Sequence, residues 1–67
     1  MRTTGRERLE RIWGAVEREP GLRPAEVAQR LDLPRSSVSR ALPAMDEHGF
    51  LLSEDSRGRL WPWRRRL

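Results

Sequence analysis

Three prolines decide most of what this chain can fold into. Pro20, Pro24 and Pro34 lack an amide hydrogen and hold φ near −65°, so none belongs deep inside an undisturbed helix. Each can still stand at a helix's first position, where the missing donor costs nothing. Pro20-Gly21 therefore ends one helix and Pro24 opens a second. Asp32-Leu33-Pro34 interrupts that one, because the residue before a proline is pushed out of the helical region, and Pro34 restarts a third. The apolar residues agree with this division. Leu9, Ile12, Trp13 and Val16 form one stripe at helical spacing; Val27, Ala28 and Leu31 form a second, and Val38, Ala41, Leu42 and Met45 a third. The pattern predicts helices over about 5–19, 24–31 and 35–48. Thr4-Gly5-Arg6-Glu7 has the form of a capping box for the first helix, and Glu7 can pair with Arg11 one turn on. Trp13 lies in the apolar stripe and is read as core.

The stretch LPRSSVSRAL, residues 33–42, is then a turn followed by a helix with an unusual outer surface. With Val38, Ala41, Leu42 and Met45 inward, Ser36, Arg40, Pro43 and Glu47 point most directly away, flanked by Ser37 and Ser39. Small polar side chains allow a helix to approach a groove closely, and arginine reaches a guanine edge or a phosphate. The acids Asp46 and Glu47 come only at the far end. Pro43 falls inside this helix, where it removes the bond to the Ser39 carbonyl, at a typical cost of about 3 kcal/mol. The second half of the helix is expected to bend or begin afresh.

After His48-Gly49, a glycine stop, the period changes. Phe50–Ser53 reads as a strand, Glu54-Asp55-Ser56-Arg57-Gly58 as a turn and Arg59–Trp63 as a returning strand, which makes a β-hairpin. Alternation puts Arg59, Trp61 and Trp63 on one face and Leu60 and Pro62 on the other. Pro62 donates nothing to a ladder, so the second strand is expected at a sheet edge.

Length and charge narrow the functional classes. Sixty-seven residues allow one domain of marginal stability, here residues 1–67. The chain has no cysteine, hence no disulfide framework and no thiolate metal site, which suits a reducing cytoplasm. The longest apolar run, Phe50-Leu51-Leu52, is far too short to span a bilayer, and the protein is read as soluble and cytoplasmic. The net charge of +4 is unevenly placed: residues 46–55 carry −4 and residues 56–67 carry +5. All fourteen basic side chains other than His48 are arginine. Arginine favours bidentate contacts to phosphate or guanine, although a GC-rich genome would also choose its codons. The clustering needs another cause.

The order helix, PGLRPAEVAQRLDLPRSSVSRAL, MDEHGFL, then a hairpin closing in GRLW, resembles a winged helix-turn-helix domain. It is most similar to the DNA-binding domains of bacterial regulators of the IclR and MarR kinds, over about residues 5–63. The resemblance implies a mainly α fold of three helices with a small β-hairpin, a third helix that enters the major groove, and a wing on the backbone or minor groove. Carried over by position, it implicates Arg35, Ser36, Ser37, Ser39 and Arg40 on the helix and Arg57 and Arg59 on the wing. The basic tail, Arg64, Arg65 and Arg66, is expected to add phosphate contacts. A narrower likeness, to winged helices that bind left-handed nucleic acid, fails at the asparagine and tyrosine of their motif, here Ser39 and Pro43. The effector domain of IclR proteins and the dimerisation helices of MarR proteins have no counterpart here, and Met1 with the compact fit points to a whole protein.

The tail WPWRRRL resembles both membrane-active peptides and nucleic-acid arms. The reading adopted places at least one of Trp61 and Trp63 in the core and gives the arginines to phosphate. The Trp-rich edge also offers a pairing surface for a second copy, which would supply two-fold symmetry. Nothing points to catalysis: His48 is the single histidine and is read as a helix cap, and Asp46-Glu47 and Glu54-Asp55 as solvated charge. No cofactor, metal or small-molecule ligand is expected. Sequence-specific binding of double-stranded DNA by a small transcriptional regulator, as a possible homodimer, is the reading these residues favour. The alternative is a winged helix used for protein contact.

Overall fold

The computed structural model describes residues 4–65, without the side chains of Thr4 and Arg65. Three helices, α1 (Thr4–Arg18), α2 (Pro24–Leu31) and α3 (Arg35–Glu47), precede an antiparallel hairpin of β1 (Phe50–Glu54) and β2 (Leu60–Arg65). This is the winged helix-turn-helix order. The Thr4 hydroxyl, and with it the proposed capping box, lies outside the described residues, as do the Arg65 side chain and Arg66.

Each helix starts and stops for local reasons. Pro24 occupies the first turn of α2, and the Arg23 amide just before it donates to Glu26 Oε1 at 2.8 Å. Asp32 ends α2 in the left-handed conformation at φ 57°, which a short polar side chain tolerates better than most. The amide of Leu33 returns to the Ala28 carbonyl at 2.9 Å, and Arg11 Nη2 donates to the Leu31 carbonyl at 3.1 Å. Arg11 thus serves the end of α2 rather than Glu7, and the ion pair one turn apart on α1 is Arg6 with Glu10 at 3.6 Å. Helix α3 runs through Pro43 from Arg35 to Glu47 instead of restarting. Pro43 and Ser39 are both exposed, so water can take the carbonyl that the proline leaves without a donor. His48 caps α3, and Gly49 follows at φ 89°, a conformation that glycine alone adopts cheaply.

The predicted stripes meet in one core. Leu9, Ile12, Trp13 and Val16 of α1, Val27, Ala28 and Leu31 of α2, and Val38, Ala41 and Met45 of α3 are buried with Phe50 and Leu60. Leu42 is only partly covered. The rings of Trp13 and Phe50 pack tilted at 43°, centroids 6.1 Å apart.

The wing is fused to this core. Leu60 donates its amide to the Leu22 carbonyl and accepts from the Gly21 amide, both at 2.8 Å, so the α1–α2 link adds a one-residue bridge beside β2. Leu22 is itself buried. Beyond Leu60 that side of β2 pairs with no other strand among the described residues, and this open side is where Pro62 lies. A bulge between the pairs Leu52↔Pro62 and Leu51↔Arg64 leaves Trp63 off the ladder.

Neither Trp61 nor Trp63 enters the core, contrary to expectation: they are 40% and 68% exposed. Leu60 takes the inward position on β2, and Trp13 with Phe50 already fills the space beneath. The Trp61 ring instead covers the Gly21 turn, and its indole nitrogen donates to Asp55 Oδ2 at 3.1 Å.

Candidate nucleic-acid interface

Helix α3 is held by its buried side, and its opposite side is open. Arg35, Ser36, Ser39 and Arg40 are exposed along the first two turns, and Ser37 is half-buried toward α1. Pro43 and Glu47 continue the exposed line. Arg40 forms no ion pair among the described residues, so its guanidinium is free to meet an incoming acceptor. Of the five positions predicted on this helix, Ser36, Ser37 and Arg40 line the α1-facing groove, Ser39 borders the wing-facing one, and Arg35 stands beside the end of α2.

The two flanks of α3 differ in charge. Toward α1 a groove of about 270 Å³ is walled by Arg8 of α1 and by Ser36, Ser37, Arg40 and His48, over Leu9. Toward the wing, a groove of about 380 Å³ is bordered by Ser39, Pro43, Asp46, Ser53 and Glu54. The first carries two guanidinium groups and an imidazole, and the second two carboxylates. The wing arginines are thus separated from the recognition helix by acidic side chains.

The wing tip is shaped by one carboxylate. Asp55 Oδ1 accepts the Arg57 and Arg59 amides, each at 2.9 Å, and Oδ2 accepts the Trp61 indole. The Arg59 amide is the main reason that the Asp55 carboxyl is held below its ordinary value, with Trp61 and the Arg57 amide adding to it against the opposing effect of desolvation. Asp55 is therefore a turn organiser, not merely the solvated charge expected from sequence. Its place at the head of a Asp-Ser-Arg-Gly turn was the available signal, since aspartate commonly accepts amides two residues on.

Arg57 is exposed at the tip, and its carbonyl lies 3.5 Å from Arg23 Nε, which ties the wing to the start of α2. Arg59 is half-buried, with an Nε atom shielded from solvent and lacking a hydrogen-bond partner among the described residues. Arg64 is exposed and stands 6.0 Å over the Trp63 ring. At the opposite end of α2, Arg30 holds Glu19 through Nε at 3.0 Å and Nη2 at 3.1 Å. That pair lowers the Glu19 pKa, raises that of Arg30, and fixes α2 against the end of α1.

Two further features bound the chemistry. No helix among the described residues is long and apolar enough to cross a membrane. Among the same residues no group of three or more His, Asp or Glu side chains is placed to hold a metal ion.

Comparison with known proteins gives one result of substance. Residues 7–55, from α1 into the wing, match the family model of the IclR helix-turn-helix domain. No curated protein and no solved structure matches the chain.

Proposed function

Since the chain belongs to the IclR helix-turn-helix domain family, whose domains are those of DNA-binding transcription regulators, we propose that it binds double-stranded DNA sequence-specifically through α3. The observation that carries this reading is the outer face of α3, where Ser36, Ser39 and the unpaired Arg40 stand clear of the protein on a helix anchored by Val38, Ala41 and Met45. A major groove about 12 Å wide admits such a helix, and arginine can bond guanine O6 and N7 together. Arg40 is the base-reading residue. Ser36 and Ser39 permit the close approach, while Arg35 and Ser37 meet the sugar-phosphate backbone. Asp46 and Glu47 sit at the trailing end, so the N-terminal half of α3 leads into the groove. Arg57 and Arg64 supply outlying backbone contacts from the wing. Arg59, half-buried, can add to these only by extending its terminal nitrogens. The target places the protein in the cytoplasm, and its chemistry requires no catalysis and no cofactor.

The test is selection from a pool of random duplexes, followed by titration of the enriched and the unselected DNA. Enrichment of a short motif, bound about 10³-fold or more tighter than unselected duplex, is expected. Binding without preference would reduce the protein to a backbone binder, and no binding would remove the reading.

The exposed Trp61 and Trp63 favour a second reading, in which the wing meets protein. Aromatic side chains are common at such contacts. A homodimer joined along the open side of β2 is its simplest form and would also supply two-fold symmetry for DNA half-sites. Sedimentation of the free protein and of its DNA complex distinguishes one copy from two.

A further inference from the structure

The geometry points to the groove between α1 and α3 as a seat for a DNA backbone phosphate, with Arg8 as the contact residue outside the helix-turn-helix. This inference rests on the proposed DNA binding and adds a site on α1.

Charge decides between the two flanks of α3. A helix lying in a major groove has a phosphate backbone on each side. The wing-side flank presents Asp46 and Glu54 and repels a phosphate that comes close. The α1-side flank presents Arg8, Arg40 and His48, together with the hydroxyl-bearing Ser36 and Ser37. No carboxylate lines it. The acids of α1 cannot neutralise it closely: at 100° per residue, Glu7 and Glu10 lie on the side of α1 away from the buried Leu9 and Ile12, whereas Arg8 lies beside them. Glu47, the acid on the outer face of α3, stands at the helix's last position.

Size and placement fit the same ligand. The groove of about 270 Å³ has room for a phosphate, and its rim includes Ser36 and Arg40 of the proposed reading face. A phosphate seated there stays continuous with the DNA that α3 reads. Arg8 makes no ion pair among the described residues, so its guanidinium remains available. The wing arginines then act as outlying contacts, and the DNA is held more firmly on the α1 side.

The experiment measures duplex affinity at 50 and 200 mM salt for the wild type, Arg8→Ala, Arg8→Lys and Arg18→Ala, the last lying at the far end of α1. One lost phosphate contact lowers the salt slope by about 0.9, so the affinity ratio of wild type to Arg8→Ala shrinks about 3.5-fold between the two salts. Arg8→Lys should keep the slope, and Arg18→Ala should leave it unchanged. Wild-type binding with an unaltered slope in Arg8→Ala would overturn the seat while leaving DNA binding intact. An equal change in Arg18→Ala would overturn it as well, by reducing Arg8 to general charge. Absence of wild-type binding would remove the underlying function. Titration with inorganic phosphate provides the last arm: amide shifts at Arg8 and Ser37 produced by free phosphate but not by duplex would make the groove a free-anion site and refute the inference.

Discussion

Replacing Leu60 with alanine should destabilise the whole domain, not only its wing. The Leu60 side chain is 2% exposed and lies among the core residues, while its backbone joins β2 to Leu22 and Gly21. Alanine keeps both backbone hydrogen bonds and removes only the packing. Loss of a buried leucine side chain costs about 2–5 kcal/mol, depending on how far the surroundings collapse into the gap. A domain of 67 residues has about 3–10 kcal/mol of stability in all. The substitution therefore consumes a large part of it. For domains this small each kcal/mol moves the midpoint by about 4–8 °C, so a fall of at least about 8 °C is expected. Thermal unfolding followed in parallel by far-ultraviolet circular dichroism and tryptophan fluorescence is the assay. One coincident transition at the lower temperature supports a wing fused to the core. A midpoint within about 2 °C of wild type, or a separate early transition in fluorescence alone, would show that the hairpin is an appendage.

Further outcomes follow from other residues. Arg40→Ala should weaken binding to the selected site by about 1–3 kcal/mol and relax preference at one base position; an equal loss on every sequence would make Arg40 a phosphate contact. Gly21 stands at φ 95°, and an added Cβ would come within 3.2 Å of the Trp61 ring, so Gly21→Ala should lower the unfolding midpoint, and Gly21→Ala combined with Trp61→Ala should recover only part of the loss because the backbone strain remains. Asp55 has a folded pKa below its unfolded value of about 3.9, so its contribution is fully present above that value and disappears as pH falls through the folded one. The stability gap between wild type and Asp55→Asn should accordingly be flat above about pH 5 and close in more acidic solution. A gap that widened on acidification would contradict the three-donor arrangement.

The parts of this fold legible in the sequence were those set by neighbours along the chain. Pro24, Pro34 and the apolar stripes located α2 and α3 because a missing amide hydrogen and a helical period act within a few residues. Gly49 marked the end of α3 for the same reason. What local patterns do not reveal is non-local. Leu22 reads as one more leucine in a linker, and only the return of β2 from 38 residues later gives its carbonyl a partner. Arg11 looked like a partner for Glu7 because spacing reveals α1 and not the end of α2. For Trp61 and Trp63 hydrophobic area alone argues for burial, whereas the inward place on that part of β2 belongs to Leu60. The outer face of α3 was readable from its wheel, but the contrast between its flanks was not, since Arg8 and Glu54 reach those grooves from other elements.

The most direct test is a map of amide chemical shifts as a duplex carrying the selected site is added to the isotopically labelled protein. The account predicts that the largest shifts gather at Ser36, Ser37, Ser39 and Arg40, with a smaller set at Arg8 and the wing tip. Shifts confined to the Trp61–Arg64 strand, with α3 silent, would contradict it.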